Sequence, residues 1–156
     1  MKTQLSLFAL LSAVLLLTAS CGGRPKSGEA AQVRTLGTIE VTARLVEVPE
    51  GAVFHRELYD YATILKYEVV AVHRGAFEKG AVIYVGHYDP WKPRAEAADQ
   101  RAKNIGGNSR QFRPGQLQRM ALVTPLDDFF MGGIVDKYFG KHAGPSYWAL
   151  WTNDAD

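Results

Sequence analysis

The sequence predicts an all-β domain with one or two short helices, its strands closed into a small barrel. Three observations predict it. Five segments after residue 38 carry apolar residues at a period of two, or as short β-branched and aromatic runs. The first two segments are long and their alternation slips part-way, as it does where a strand bulges or curls across a closed sheet. A single run of helix formers stands between the third and fourth segments.

The first strand covers 39–48. Ile39, Val41, Ala43 and Leu45 alternate with Glu40, Thr42 and Arg44. Val46 and Val48 then reverse the phase, which predicts a bulge near Leu45 and Val46. Pro49-Glu50-Gly51 ends the strand, and 50–60 is a connection. The second strand runs over 61–73, with Leu65, Tyr67, Val69 and Ala71 on one face and Lys66 and Glu68 on the other. Arg74-Gly75 and Lys79-Gly80 bracket a turn. The third strand, 81–88, contains Gly86, a sign of a bend or of a close neighbour.

Asp89-Pro90-Trp91-Lys92-Pro93 stops the sheet, and Pro93 suits the first turn of a helix over 94–103. Asp99 and Lys103 are spaced as an i,i+4 pair on it. Gly106-Gly107-Asn108 ends that helix and Pro114-Gly115 makes a turn. The fourth strand is 119–124 and the fifth 147–152. On the fifth, Tyr147 and Trp151 share one face, and Trp148 and Leu150 the other. Three strands, a helix, then two strands is the order of a five-stranded OB-like barrel. The stretches Val69–Gly80 and Phe112–Val123 resemble the netrin and metalloprotease-inhibitor type of OB domain. A β-sandwich needs more strands than are visible here.

The N-terminus carries a separate signal. Met1-Lys2 precedes an apolar run from Leu5 to Leu17, then Thr18-Ala19-Ser20 and Cys21. This has the parts of a secretory signal peptide, and with its cysteine it resembles the lipobox of bacterial lipoproteins. The resemblance implies a signal peptide over 1–20. It also implies a diacylglycerol and a fatty acyl chain such as palmitate on Cys21. The protein would then be exported and lipid-anchored to the bacterial cell membrane or outer membrane. The alternatives are an uncharged membrane helix over 3–23 and a secreted chain with Cys21 incidental. Residues 21–37, small and polar with one proline, read as a flexible tether. The OB-like domain then occupies 38–156.

Composition narrows the function. The chain has 18 Lys plus Arg against 16 Asp plus Glu, a balance unlike that of a dedicated nucleic-acid binder. Its single cysteine is Cys21, so acylation there leaves no thiol for a disulfide, a thiolate metal site or a nucleophile. No HExxH, GxSxG or phosphate-binding glycine loop occurs, and neither cofactor nor metal is expected.

Four features bear on a site. The connection 125–146 far exceeds the usual loop length, and its Phe129, Phe130, Tyr138 and Phe139 predict a folded flap or a ligand loop. His87-x-Asp89 puts an imidazole and a carboxylate on one strand face, a candidate acid/base pair. As metal ligands they would need help from His142, Asp127 or Asp128. Residues 91–120 are rich in Lys and Arg, a candidate surface for anionic lipid or glycan. Finally, Tyr88, Trp91, Arg94, Arg110, Arg113, Asp128, Tyr138 and His142 are the candidate ligand-binding residues, where 88–94, 110–113 and 127–142 are expected to meet.

The phrases LYDYATILKYEVVAVHRG, AVIYVGHYDP and GPSYWALWTN resemble small exported proteins that accompany alginate-type polysaccharide O-acetylation. That resemblance implies an accessory role in the envelope. The expected function is therefore a membrane-anchored lipoprotein that binds a partner protein or an envelope glycan, an anionic one included. The alternative is an enzyme acting on envelope polysaccharide through His87 and Asp89.

Overall fold

The computed structural model describes residues 32–51 and 60–155. The expected signal peptide, Cys21, the first part of the expected tether and residues 52–59 of the first connection lie outside the described residues.

The described chain is a five-stranded closed barrel with a flap on one side. The elements are β1 (Ile39–Glu47), β2 (Ala62–Arg74), β3 (Val82–Tyr88), α1 (Arg94–Ala97), β4 (Leu117–Val123), β5 (Ile134–Val135) and β6 (Tyr147–Asp154). The sheet runs β1-β4-β6-β3-β2, and β1 also pairs with β2, which closes it. All pairings in the barrel are antiparallel except β3 with β6. This is the five-stranded OB-like barrel that the strand order predicts, with two short helices at 32–35 and α1.

Closure explains the slipped phases. β1 and β2 each have two neighbours, so each must turn its inward face as it curls round the barrel. The register of β1 against β2 shifts between Leu45 and Glu47, where the alternation breaks. Inside the barrel lie Val41, Ala43, Leu45, Leu65, Tyr67, Val69, Ile83, Val85, Met120 and Leu122. Outside it, Ile64 and Tyr88 join Ala97, Ile105, Leu126, Phe130, Tyr138 and Trp148 in a second apolar cluster. The two clusters share the sheet as their wall, in the two-layer manner of small domains.

Four local expectations need correction. The helix over 94–103 is only Arg94–Ala97, and Ala98 is extended. Asp99 ends it. Its Oδ1 accepts from the amides of Arg101 at 2.7 Å and Ala102 at 3.0 Å, and its Oδ2 from Tyr88 Oη at 2.7 Å. A side chain engaged in this way competes with helical bonding and is not an i,i+4 partner for Lys103. On β6, the register against β4 shifts at Ala121/Leu122. Tyr147 therefore packs with the inner cluster, while the Trp151 ring lies over Gly106, where a Cβ would stand 2.5 Å from Cζ3. The two do not share a face. The sequence gives no sign of β5, which pairs with β2 only through Ala62 and Thr63. Residues 32–37, expected in the tether, are docked: Val33 is buried and Arg74 bonds the carbonyls of Arg34 and Leu36.

Candidate functional site

The flap is the chain between β4 and β6. Its inner residues Leu126, Phe130 and Tyr138 are buried on the outer face of β2 and β3. Phe130 stacks on Trp148 at 4.8 Å, and Tyr138 lies 4.9 Å from Tyr84. Gly86 makes the approach possible, because a Cβ there would sit 2.3 Å from Leu126 Cδ1. The glycine in the third strand therefore marks a close neighbour rather than a bend. In OB barrels the face of strands 2 and 3 and the loop between strands 4 and 5 hold ligands. Here that loop covers that face.

What the flap leaves open is a cleft of about 640 Å³ between its outer half and β2. Ile64, Pro125, Ile134, Phe139 and Pro145 supply apolar walls, and Asp127, Asp136, His142 and Ser146 supply polar atoms. Tyr84 positions His142: the rings stack at 3.9 Å and 14°. Asp136 Oδ1 accepts the Tyr138 amide at 2.8 Å, which fixes the carboxylate at the rim. The Phe139 ring is 85 % exposed. Such a mix of apolar walls and a few convergent polar groups is the usual make-up of a ligand site.

His87 and Asp89 sit elsewhere. His87 is 1 % exposed and faces the barrel interior. Tyr67 Oη donates to Gln118 Oε1 at 2.7 Å, so the 3.0 Å contact to His87 Nε2 requires the imidazole to donate. Gln118 Nε2 donates onward to Ser109 Oγ at 2.9 Å, and Ser109 Oγ to the Gln111 carbonyl at 3.3 Å. The chain of bonds pins the 109–111 segment across one barrel end, where Phe112 packs on His87 at 4.6 Å. Burial, with the Arg94 charge adding to it, holds the imidazole well below its ordinary value. Asp89, at φ 42, is fully buried, and its Oδ2 accepts from Lys92 Nζ at 2.6 Å. Burial raises the Asp89 carboxyl and the Lys92 ammonium opposes the rise. His87 Nδ1 and Asp89 Oδ1 have no hydrogen-bond partner, so the two do not form a bonded pair, and neither lines the cleft.

The candidate ligand residues separate. Only His142 lines the cleft. Tyr88 and Tyr138 are buried in the outer cluster, and burial pushes both phenols well above their ordinary range. Arg94 is buried too. Its Nη1 donates to the Tyr88 carbonyl at 2.7 Å, and its Nη2 to the carbonyls of Asp89 at 2.5 Å and Lys92 at 3.0 Å. Its guanidinium lies 5.1 Å from the Phe112 ring, and desolvation pushes its pKa down to about 10. Trp91 is half-buried against Tyr61 at 4.9 Å. Arg110, Arg113 and Asp128 are exposed outside the cleft. Thus 88–94 and 110–113 meet where the buried Arg94 lies beside Phe112, while Arg110 and Arg113 stay exposed. Among the described residues no group of three or more His, Cys, Asp or Glu is placed to hold a metal ion.

Ile134 and Asp136 carried no signal of their own in the sequence, and Phe139 stood only among the loop aromatics, not among the candidate ligand residues. The available signal was the length of the loop and its surplus of apolar residues over what one docking face needs. The fold and cleft together define a small OB-like barrel whose usual binding face is capped by its own loop and replaced by an open loop cleft. The chain matches no known family, no curated protein and no solved structure.

Proposed function

We propose that the protein is an exported lipoprotein, anchored through Cys21, whose barrel is a binding module for a partner at the cell envelope. The observation that carries the binding reading is the cleft, placed at the loop where OB barrels take ligands. The anchoring reading rests on the Leu5–Leu17 run and Cys21.

Two experiments test it. Intact mass of the membrane-extracted protein should show a chain that starts at Cys21 and carries acyl groups. An unacylated chain, or one that starts at Met1, overturns the anchor. For binding, affinity capture from the native envelope is compared between the wild type and Phe139→Ser. The substitution removes an exposed ring, so the fold should persist while capture of specific components falls. An identical set of captured components overturns the cleft as the binding site.

A further inference from the structure

We propose that the cleft takes an extended, apolar segment of a partner protein that carries lysine or arginine. This deepens the binding-module reading and rests on it.

Charge comes first. The charged carboxylates on the wall belong to Asp127 and Asp136, and no Lys or Arg lines the cleft. Asp136 accepts the Tyr138 amide through Oδ1, and a carboxylate held by one oxygen can accept a ligand's donor at the other. A cation between these groups gains charge-assisted bonds. An anionic glycan would face two carboxylates.

Shape and surface decide between protein and sugar. Among the described residues, the exposed large apolar side chains are Val46, Val82, Phe129, Met131, Ile134 and Phe139, and the last four are all on the flap. Met131 is 94 % exposed. Such clustering marks an interaction surface. Of the four flap residues, Ile134 and Phe139 line the cleft, and Phe129 and Met131 lie elsewhere on the flap. Isoleucine offers no planar face to a sugar ring, and phenylalanine is enriched in protein interfaces.

Backbone supplies the register. Among the described residues β5 ends the sheet order and pairs only with β2, so there its far side is a strand edge. Ile134 of that strand lines the cleft. An extended segment added to this edge directs alternate side chains into the cleft. One lysine would reach Asp136 and Asp127 while the apolar residue two positions away, on the same face, covers Phe139.

The test uses the full mature chain in detergent and fluorescence anisotropy. The probes are a labelled, acetylated Ser-Val-Ser-Lys-Ser peptide, which puts valine and lysine on one face of an extended strand, and the same peptide with glutamate for lysine. A glucosamine tetramer serves as competitor. The lysine peptide should bind at least about tenfold more tightly than the glutamate peptide, with affinity falling as salt rises. Asp127→Asn with Phe139→Ser, both at exposed positions, should weaken it by about tenfold or more. Asp136→Asn should weaken it further while still capping the Tyr138 amide.

Equal affinity for both peptides, or binding unchanged in the double variant, overturns the inference. So does displacement of the peptide by the glucosamine tetramer at lower concentration, which would make the cleft a glycan site. Absence of peptide binding with normal, Phe139-dependent envelope capture overturns this partner chemistry and leaves the binding-module reading standing.

Discussion

Replacement of Arg94 by methionine removes a donor from three carbonyl oxygens, those of Tyr88, Asp89 and Lys92, of which Asp89's still accepts the Lys92 amide at 2.9 Å. Buried acceptors without a donor cost about 1–3 kcal/mol each, and the apolar stem recovers part of the packing. Arg94→Met should therefore lose about 2 kcal/mol or more in urea unfolding. A loss below about 1 kcal/mol would mean that the loop holds itself. The sequence placed Arg94 next to a helix-starting proline but among exposed bases. A run of positive charge does not reveal which guanidinium turns inward, because that depends on carbonyls brought in by the end of another strand. His87 makes a second residue-scale prediction. Its folded pKa lies below the ordinary value of 6.5, so below that pH the unfolded chain binds a proton that the folded chain refuses. Its contribution is complete above pH 6.5 and is lost as pH falls from there toward the folded pKa. The stability difference between wild type and His87→Gln, measured from pH 8 to pH 5, should move against the wild type on acidification. A flat difference overturns the assignment of a buried neutral imidazole.

At the scale of elements, the flap is held by shape. Gly86→Ala places a methyl where Leu126 Cδ1 lies, with Ile64 Cδ1 and Trp148 Cε3 also within 3.4 Å. Overpacking of this kind costs about 1–3 kcal/mol. It should appear first as faster hydrogen exchange of flap amides over 126–142, with the β1 and β2 amides nearly unchanged. Uniform acceleration through the barrel would mean that flap and barrel open together. The five barrel strands were legible because each carries its own alternation or its own β-branched and aromatic run, and the phase slip located one of the three register shifts of β1 against β2. β5 was not legible. Two residues carry no period, and Ile134 and Val135 pair with Ala62 and Thr63 only once the flap has folded back. The helix was overread because its composition suits a helix while Asp99 bonds the backbone locally. The site was half legible. His142 stood out as chemistry, but Phe139 and Asp136 acquire meaning only from the direction in which the flap turns them.

For the molecule as a whole, two apolar layers share one sheet, and a third attachment lies at its N-terminal side. Arg74 holds the carbonyls of Arg34 and Leu36 and lies 3.9 Å from Glu40. Glu40 in turn takes Arg119 at 2.5 Å. Arg74→Gln should loosen residues 32–37 and raise their cleavage by added protease several-fold. Barrel unfolding should shift by no more than about 1 kcal/mol, since half-exposed ion pairs contribute little. Cleavage at the wild-type rate would show that Val33 alone secures the turn.

That docked turn also sets a leash. On the proposed anchor at Cys21, and with the domain held from Val33, residues 21 to 31 would join bilayer to barrel. Eleven residues reach at most roughly 40 Å. The cleft would then stay close above the lipid. Any protein rooted in the same membrane meets it at an effective concentration on the order of millimolar. An affinity that is weak in a test tube would suffice there, and a soluble competitor of equal affinity would lose.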